Sequence, residues 1–311
     1  MSPTAITLIL IAAVAHASWN LFSKQASVTG AVSFIWLMSA AGTALYAPLI
    51  AIAVIVTQPR LTGLSWVFLA GTGILQAGYF LFLQNGYRLG DLSLVYPIGR
   101  GTGALLAALA GIVILGERPG PAAIAGIACI VAGIVVIGIP VRSRSAAPVT
   151  ATAASTGSAG GAGGTAPRAP SAASATAFAL LTGAFIASYT LWDKYAVSTL
   201  KTPPLLQGYA ACPIMAMVFA PQVHRARDRT ARVWRAYRRQ VLGAAVLAPL
   251  AYILVLFALS FTAVSAVAPA REVSVLFGVL LGRKLLGEGG LTRRLLAAAA
   301  IVAGIIAIAI G

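Results

Sequence analysis

Arg271 and Glu272 stand side by side at the head of a long apolar run, AREVSVLFGVLLGRKLLGE, residues 270–288. Arg100 holds a similar place in SLVYPIGRGTGALLAALAGIVILGE, residues 93–117. A charge at bilayer depth costs at least a few kcal/mol, so an intramembrane charge usually marks function. A guanidinium is always charged and presents a planar fork of donors, which suits a carboxylate or a phosphonate-like group. Glu272 then either neutralises one arginine or carries a coupling proton. Other polar residues fall within apolar runs. His16 and Asn20 are spaced i, i+4, with Trp19 beside them, and share a helical face. Gln76 and Tyr79, with Phe80, form a similar set. Tyr252 is their counterpart later in the chain, and Tyr96 belongs to the YPIGR motif of Arg100. These are the candidate substrate-binding residues. Taken singly, each also suits an ordinary interhelical hydrogen bond.

The elements that must position them are membrane helices. The chain has 311 residues, 59% of them hydrophobic and only 9% charged. Soluble proteins average about 25% charged residues, so this composition belongs to a lipid-solvated chain. A spanning helix needs roughly 20 apolar residues. Such runs occur near 3–22, 31–56, 64–86, 92–115 and 121–140, and again near 174–193, 203–221, 241–260, 262–282 and 294–310. Between the two sets lies an Ala/Gly/Ser/Thr-rich stretch with no apolar periodicity, which reads as a flexible linker. The expected fold is an all-α integral membrane protein. Residues 1–140 form one five-helix repeat, 141–171 the linker and 172–311 a second repeat.

The halves resemble each other. HASWNLFSKQA (16–26) lies over IASYTLWDKYA (186–196), LSLVYPIGR (92–100) over VSAVAPAR (264–271), and ILGE (114–117) over LLGE (285–288). Arg100 therefore matches Arg271, and Glu117 matches Glu288. Five is odd, so the two repeats must enter the membrane from opposite faces. That is the inverted-repeat plan of secondary transporters, with the substrate site near the midplane. Each arginine lies eight or nine residues into its segment. At 1.5 Å per residue this is roughly 12–14 Å, near the middle of a core about 30 Å thick. Pro97 and Pro269 are expected to break the helices beside these charges.

Other features have plainer readings. Gly278/Gly282, Ala107/Gly111 and Ala300/Gly304 are small-xxx-small pairs that permit close helix packing. Glu117 and Glu288 read as structural helix-end residues. Seven arginines between Arg225 and Arg239 suggest a short amphipathic helix on an anionic membrane surface. Cys129 and Cys212 read as small buried hydrophobes, not as a disulfide pair. Neither falls in a metal-ligand spacing, and no metal or cofactor is expected. The N-terminal run contains an Ala-x-Ala, but it lacks a positive n-region and matches an internal segment, so it reads as a retained helix. The net charge of +16 sits mostly between apolar runs, as positive-inside bias requires, so nucleic acid is not expected as a partner.

HASWNLFSK, SLVYPIGRGTGALLAALAGIVILGE and VAPAREVSVLFGVLLGRKLLGE resemble the EamA-like transporters of the drug/metabolite transporter superfamily. The resemblance covers nearly the whole chain, excluding the linker and the arginine-rich loop. It implies a bacterial inner-membrane carrier of ten helices, often exporting amino acids, related metabolites or drugs.

The leading expectation is a secondary transporter that exports a small polar or anionic, amino-acid-like metabolite by alternating access. Its partners are that small molecule and the lipid bilayer, and one chain can form the whole pathway. No Gly-x-x-x-x-Gly-Lys-Ser/Thr motif is present, so coupling is to an ion gradient or to the substrate's own gradient. A lipid flippase or a non-transporting scaffold is the alternative, which a charged midplane cavity disfavours. A membrane-embedded enzyme fits worse: it needs a nucleophile-base pair or a metal cluster, and His16 and His224 are the only histidines. Sixteen basic residues fall in loops 1–2, 3–4, 5–6, 7–8 and 9–10, against four in the opposite set. The positive-inside rule then puts both termini outside and the linker in the cytoplasm. Ten-helix relatives are usually drawn with cytoplasmic termini, so charge and resemblance disagree here.

Overall fold

The protein, a computed structural model, is described at residues 1–89, 92–138 and 172–274, and at seven positions from 296 to 307. The described residues form helices and contain no strand: α1 Pro3–Thr57, α2 Gly63–Leu89, α3 Leu92–Val113, α4 Pro121–Gly138, α5 Ala172–Ser198, α6 Pro204–Arg225, α7 Arg227–Phe261 and α8 Val264–Arg271. In lipid every backbone polar group must be satisfied within the segment, and a helix does this. Among the described residues six stretches are long and apolar enough to cross a membrane, two of them within α1 at Pro3–Ser23 and Gly30–Thr57. The linker, Gly278, Gly282 and Glu288 lie outside the described residues.

Two helices begin on side-chain caps. Ser2 Oγ accepts from Ala5 N at 3.2 Å, with Pro3 at the first helical position. Thr62 and Ser65 cap α2 reciprocally, each side chain accepting from the other's backbone N–H.

α1 leaves helical geometry at Gly30, and there the chain reverses. Phe22 packs on Gly243, while Ile9 joins Val255–Leu259 further along α7, so the first half of α1 runs against α7. Beyond the bend, Gly30 lies beside Arg229, and the Tyr46 hydroxyl donates to Val246 O at 2.7 Å. The second half therefore runs with α7. The first two expected segments are thus two antiparallel spans, and their connection stays helical up to the bend.

α7 also breaks, at Tyr237, where φ is −128° and ψ 23°. The break separates the arginine-rich portion from the apolar span. Thr230 and Val233 are buried against α1, with Thr230 Oγ1 donating to Ser33 Oγ at 2.9 Å, while the seven arginines are exposed. The amphipathic helix expected for this stretch is the first part of α7.

α1 packs on α6 and α7, α5 on α2 and α3, and α3 on α4 and α8. Glycine allows the closest approach between α3 and α5. A Cβ on Gly103 would lie 2.7 Å from the Ile186 side chain, and one on Gly183 would lie 3.0 Å from Gly103 N. The small pairs behave as expected at Gly111, where a Cβ would meet Val264 at 2.4 Å, and at Gly304, where it would meet Gly126 O at 2.6 Å. The cysteines divide. Cys212 is buried, but Cys129 is exposed on α4, so the expectation of two buried thiols holds only for Cys212. Large apolar residues such as Ile52, Val56, Trp66, Ile74 and Val113 face outward, as a lipid-solvated surface requires.

Candidate functional site

Arg100 is the ninth residue of α3, and Arg271 is the last of α8. Both side chains are buried, and between them lies Glu272, which is fully buried. Glu272 Oε2 lies 2.9 Å from Arg100 Nε, and Arg271 Nε donates to Glu272 Oε1 at 3.4 Å. One carboxylate thus neutralises half the charge of two guanidiniums. The Arg271 guanidinium also sits 5.9 Å from the centroid of the Tyr189 ring, and its Nη2 has no acceptor among the described residues. Breaking a buried pair leaves an uncompensated charge, so these three residues stand or fall together.

α8 reaches this place because its start is held from the other half of the chain. Ala263 supplies no side-chain cap. Instead Glu117 accepts from Val264 N at 2.7 Å and from Ser265 N at 2.8 Å. A carboxylate suits the positive end of a helix. Lys194 closes the preceding helix end, donating to Leu259 O at 2.9 Å and Thr262 O at 2.8 Å. The structural reading of Glu117 has its geometry here.

The helices do not break at the prolines. α3 is helical through Pro97, and α8 runs through Pro269 to Arg271. The interruption comes at Glu272, whose N–H bonds Pro269 O at 2.9 Å, and the chain is helical again at Val273 and Ser274. A proline removes one backbone donor, and the neighbouring turns carry the helix past it.

A cavity of about 80 Å³ opens beside Arg100. His16, Trp19, Gln76, Tyr79 and Tyr252 line it with Arg100, so six of the candidate residues share one space. Arg100 Nη2 lies 2.8 Å from His16 Nε2. A guanidinium only donates, so in this contact Arg100 is the donor. Arg271 and Glu272 stand behind Arg100 and do not line the cavity. Asn20 takes the plainer role, donating from Nδ2 to His16 O at 2.9 Å along its own helix. The Tyr96 side chain lies outside the described residues.

Four residues that the sequence reading passed over complete the site. Tyr189 and Tyr252 make an edge-to-face pair, and both line the cavity. The Tyr252 hydroxyl donates to Asp193, a fully buried carboxylate on α5. Thr72 Oγ1 and Gln207 Nε2 each donate to Asp193 at 2.8 Å. One signal was available: Asp193 is one of six acids and follows an apolar run. It also closes that run beside Lys194, where nothing in the segment itself shows what it bonds. Among the described residues no group of three or more His, Cys, Asp or Glu could hold a metal ion.

The two halves meet in a reciprocal way. Phe22 of α1 packs on Gly243 of α7, and Trp192 of α5 packs on Gly71 of α2. Phe22 and Trp192 are matched positions in the aligned HASWNLFSKQA and IASYTLWDKYA segments. A contact that recurs with the halves exchanged is what a two-fold relation produces. A profile of the EamA-like transporter family matches residues 3–139 and 173–310, one copy for each half. The chain belongs to the EamA-like transporter family. It is therefore a multi-pass membrane transporter of the drug/metabolite transporter superfamily, and the resemblance in its motifs is borne out. No curated protein matches this EamA-like chain. One solved crystal structure superposes on 97% of the chain and 98% of its own length, with a TM-score of 0.65 and 20% identity. That likeness shows a shared fold.

Proposed function

We propose that this EamA-like protein is a secondary transporter of the bacterial inner membrane that exports a small polar or anionic, amino-acid-like metabolite. It works by alternating access between two inverted five-helix repeats, residues 1–140 and 172–311, ten helices in all, joined by the 141–171 linker. One observation carries this reading: two buried guanidiniums share one carboxylate beside a cavity. The trio keeps one net positive charge in a place where charge is costly. A carboxylate on the solute supplies the missing negative charge and accepts from the planar fork of Arg100, the arginine that lines the cavity. His16, Gln76 and Tyr252 offer further polar contacts along the cavity wall. At about 80 Å³ the cavity admits a few waters or the head of a small solute, which suits a closed state of an alternating cycle.

The reciprocal packing of Phe22 and Trp192 supports the inversion, because it relates the halves by exchange. A panel of labelled carboxylates and amino acids, taken up into proteoliposomes with wild-type protein and with Arg271→Ala, tests the reading. Wild-type flux of at least one solute, lost in the variant, is expected. The absence of protein-dependent flux for every solute would count against it.

A further inference from the structure

We propose that Asp193 is a proton-binding site that couples to the cavity through Tyr252. The inference rests on the transporter reading and names its coupling group. Asp193 is fully buried, and no basic residue pairs with it among the described residues. Three neutral donors surround it instead, each from a different helix: Thr72 of α2, Gln207 of α6 and Tyr252 of α7. This set accommodates both protonation forms. The ionised carboxylate accepts all three bonds. The protonated acid forms one O–H bond at Oδ2, where two hydroxyls lie, and donates to one of them. A hydroxyl can rotate to accept, whereas a lysine or arginine partner cannot. The proton comes from water on one side of the membrane and returns to water on the other, and no other bond is made or broken.

Tyr252 makes the event visible to a solute. Its hydroxyl is held by Asp193, and its side chain lines the cavity. Once Asp193 carries a proton, that hydroxyl gives up its ionic acceptor and can donate into the cavity. The ring also touches Tyr189, over which Arg271 lies. The titratable and charged groups around Asp193 are thus Tyr252 on α7, Tyr189 one turn earlier on α5, and Arg271 on α8. Lys194, next in sequence, is engaged with the α7 carbonyls. α2 faces Asp193 with Thr72 and α6 with Gln207, neither of which titrates, and α6 brings Cys212 to the cavity wall. Arg100, Arg271, Glu272 and an ionised Asp193 sum to zero charge. An added negative charge at the arginines favours a proton on Asp193, and by linkage the proton favours the anion equally.

Infrared difference spectroscopy on the full-length protein in lipid tests this without any solute, stepping from about pH 9 to about pH 5 across the range where perturbed carboxyls titrate. A reversible protonated-carboxyl band should appear, persist in Glu272→Gln and vanish in Asp193→Asn. Tyr252→Phe should move the band's midpoint to higher pH by about one unit, since a carboxylate with one donor fewer holds its charge less well. If Asp193→Asn does not fold, Asp193→Glu should shift the band's frequency. A band unchanged by these Asp193 substitutions, or no band in the wild type, overturns the proposal. So does stabilisation by sodium over potassium that Asp193→Asn abolishes, which would make the site a sodium site. A solute panel that fails leaves this band readable, and a missing band leaves the solute panel standing.

Discussion

Removing either guanidinium should stop transport. Arg100→Ala and Arg271→Ala are each expected to lower flux at least roughly a hundredfold, in line with the loss of a buried, hydrogen-bonded charge partner. Flux at wild-type rates in either variant would take the arginines out of the site. Lysine should rescue poorly at both positions, because it lacks the planar fork. Glu272→Gln has a different expected result. It leaves two buried cations facing each other, so it should destabilise the protein by about 3–5 kcal/mol. A thermal melt in detergent reads that loss, and an unchanged melting temperature would show that the trio is not held by charge. If Glu272→Gln still transports with unchanged pH dependence, Glu272 is not the group that carries a coupling proton.

The helices set where those side chains point, and two contacts control α8. Glu117→Ala removes the acceptor of the Val264 and Ser265 N–H groups, which α8 cannot replace from its own sequence. A lost N-terminal cap costs about 1 kcal/mol. Transport should fall further than that figure suggests, since Arg271 is the last residue of the same short helix. Flux measured at matched amounts of folded protein separates the two effects. The contact between α2 and α5 is tested by Gly71→Ala, whose Cβ would lie 2.4 Å from the Trp192 ring. Overpacking of this kind costs about 1–3 kcal/mol. The melting temperature should drop, and Trp192→Leu in the same chain should recover part of it.

At the scale of the whole molecule, the described ends of the bundle sort its loops. Gly30 lies beside Arg229, so the bend of α1 and the arginine-rich part of α7 share one end. Glu117 and Lys194 meet the α7–α8 joint at another place. The grouping agrees with the alternation of loops from which the charge bias is counted. Both termini are therefore predicted to face outward, with the arginine-rich segment in the cytoplasm. Cysteine substituted at Ser155 and at Arg229, in a background without Cys129 and Cys212, reports the orientation. A membrane-impermeant reagent should label neither in intact cells, and labelling of both would reverse the assignment.

The sequence alone determined the class and the repeat. Apolar runs of spanning length must become helices, because lipid offers no partner for a free backbone group. Paired motifs at a near-constant offset, ending in Arg100 and Arg271, announced the two halves and their matched charges. Glu272 stood out for the same reason, as a charge at depth. Tertiary structure decided the rest. Nothing in its own segment marks Asp193, and only the convergence of Thr72, Gln207 and Tyr252 from three other helices makes it a buried polar centre. Asn20 looked like a site residue until its side chain proved to bond its own helix. Pro97 and Pro269 looked like breaks, yet the turns around them carry the helices through. Glu117 could be read as structural, but not which N–H groups it would cap, 147 and 148 residues away. Periodicity and composition report what a residue does within its own helix. Contacts between distant helices depend on packing, which no single segment encodes.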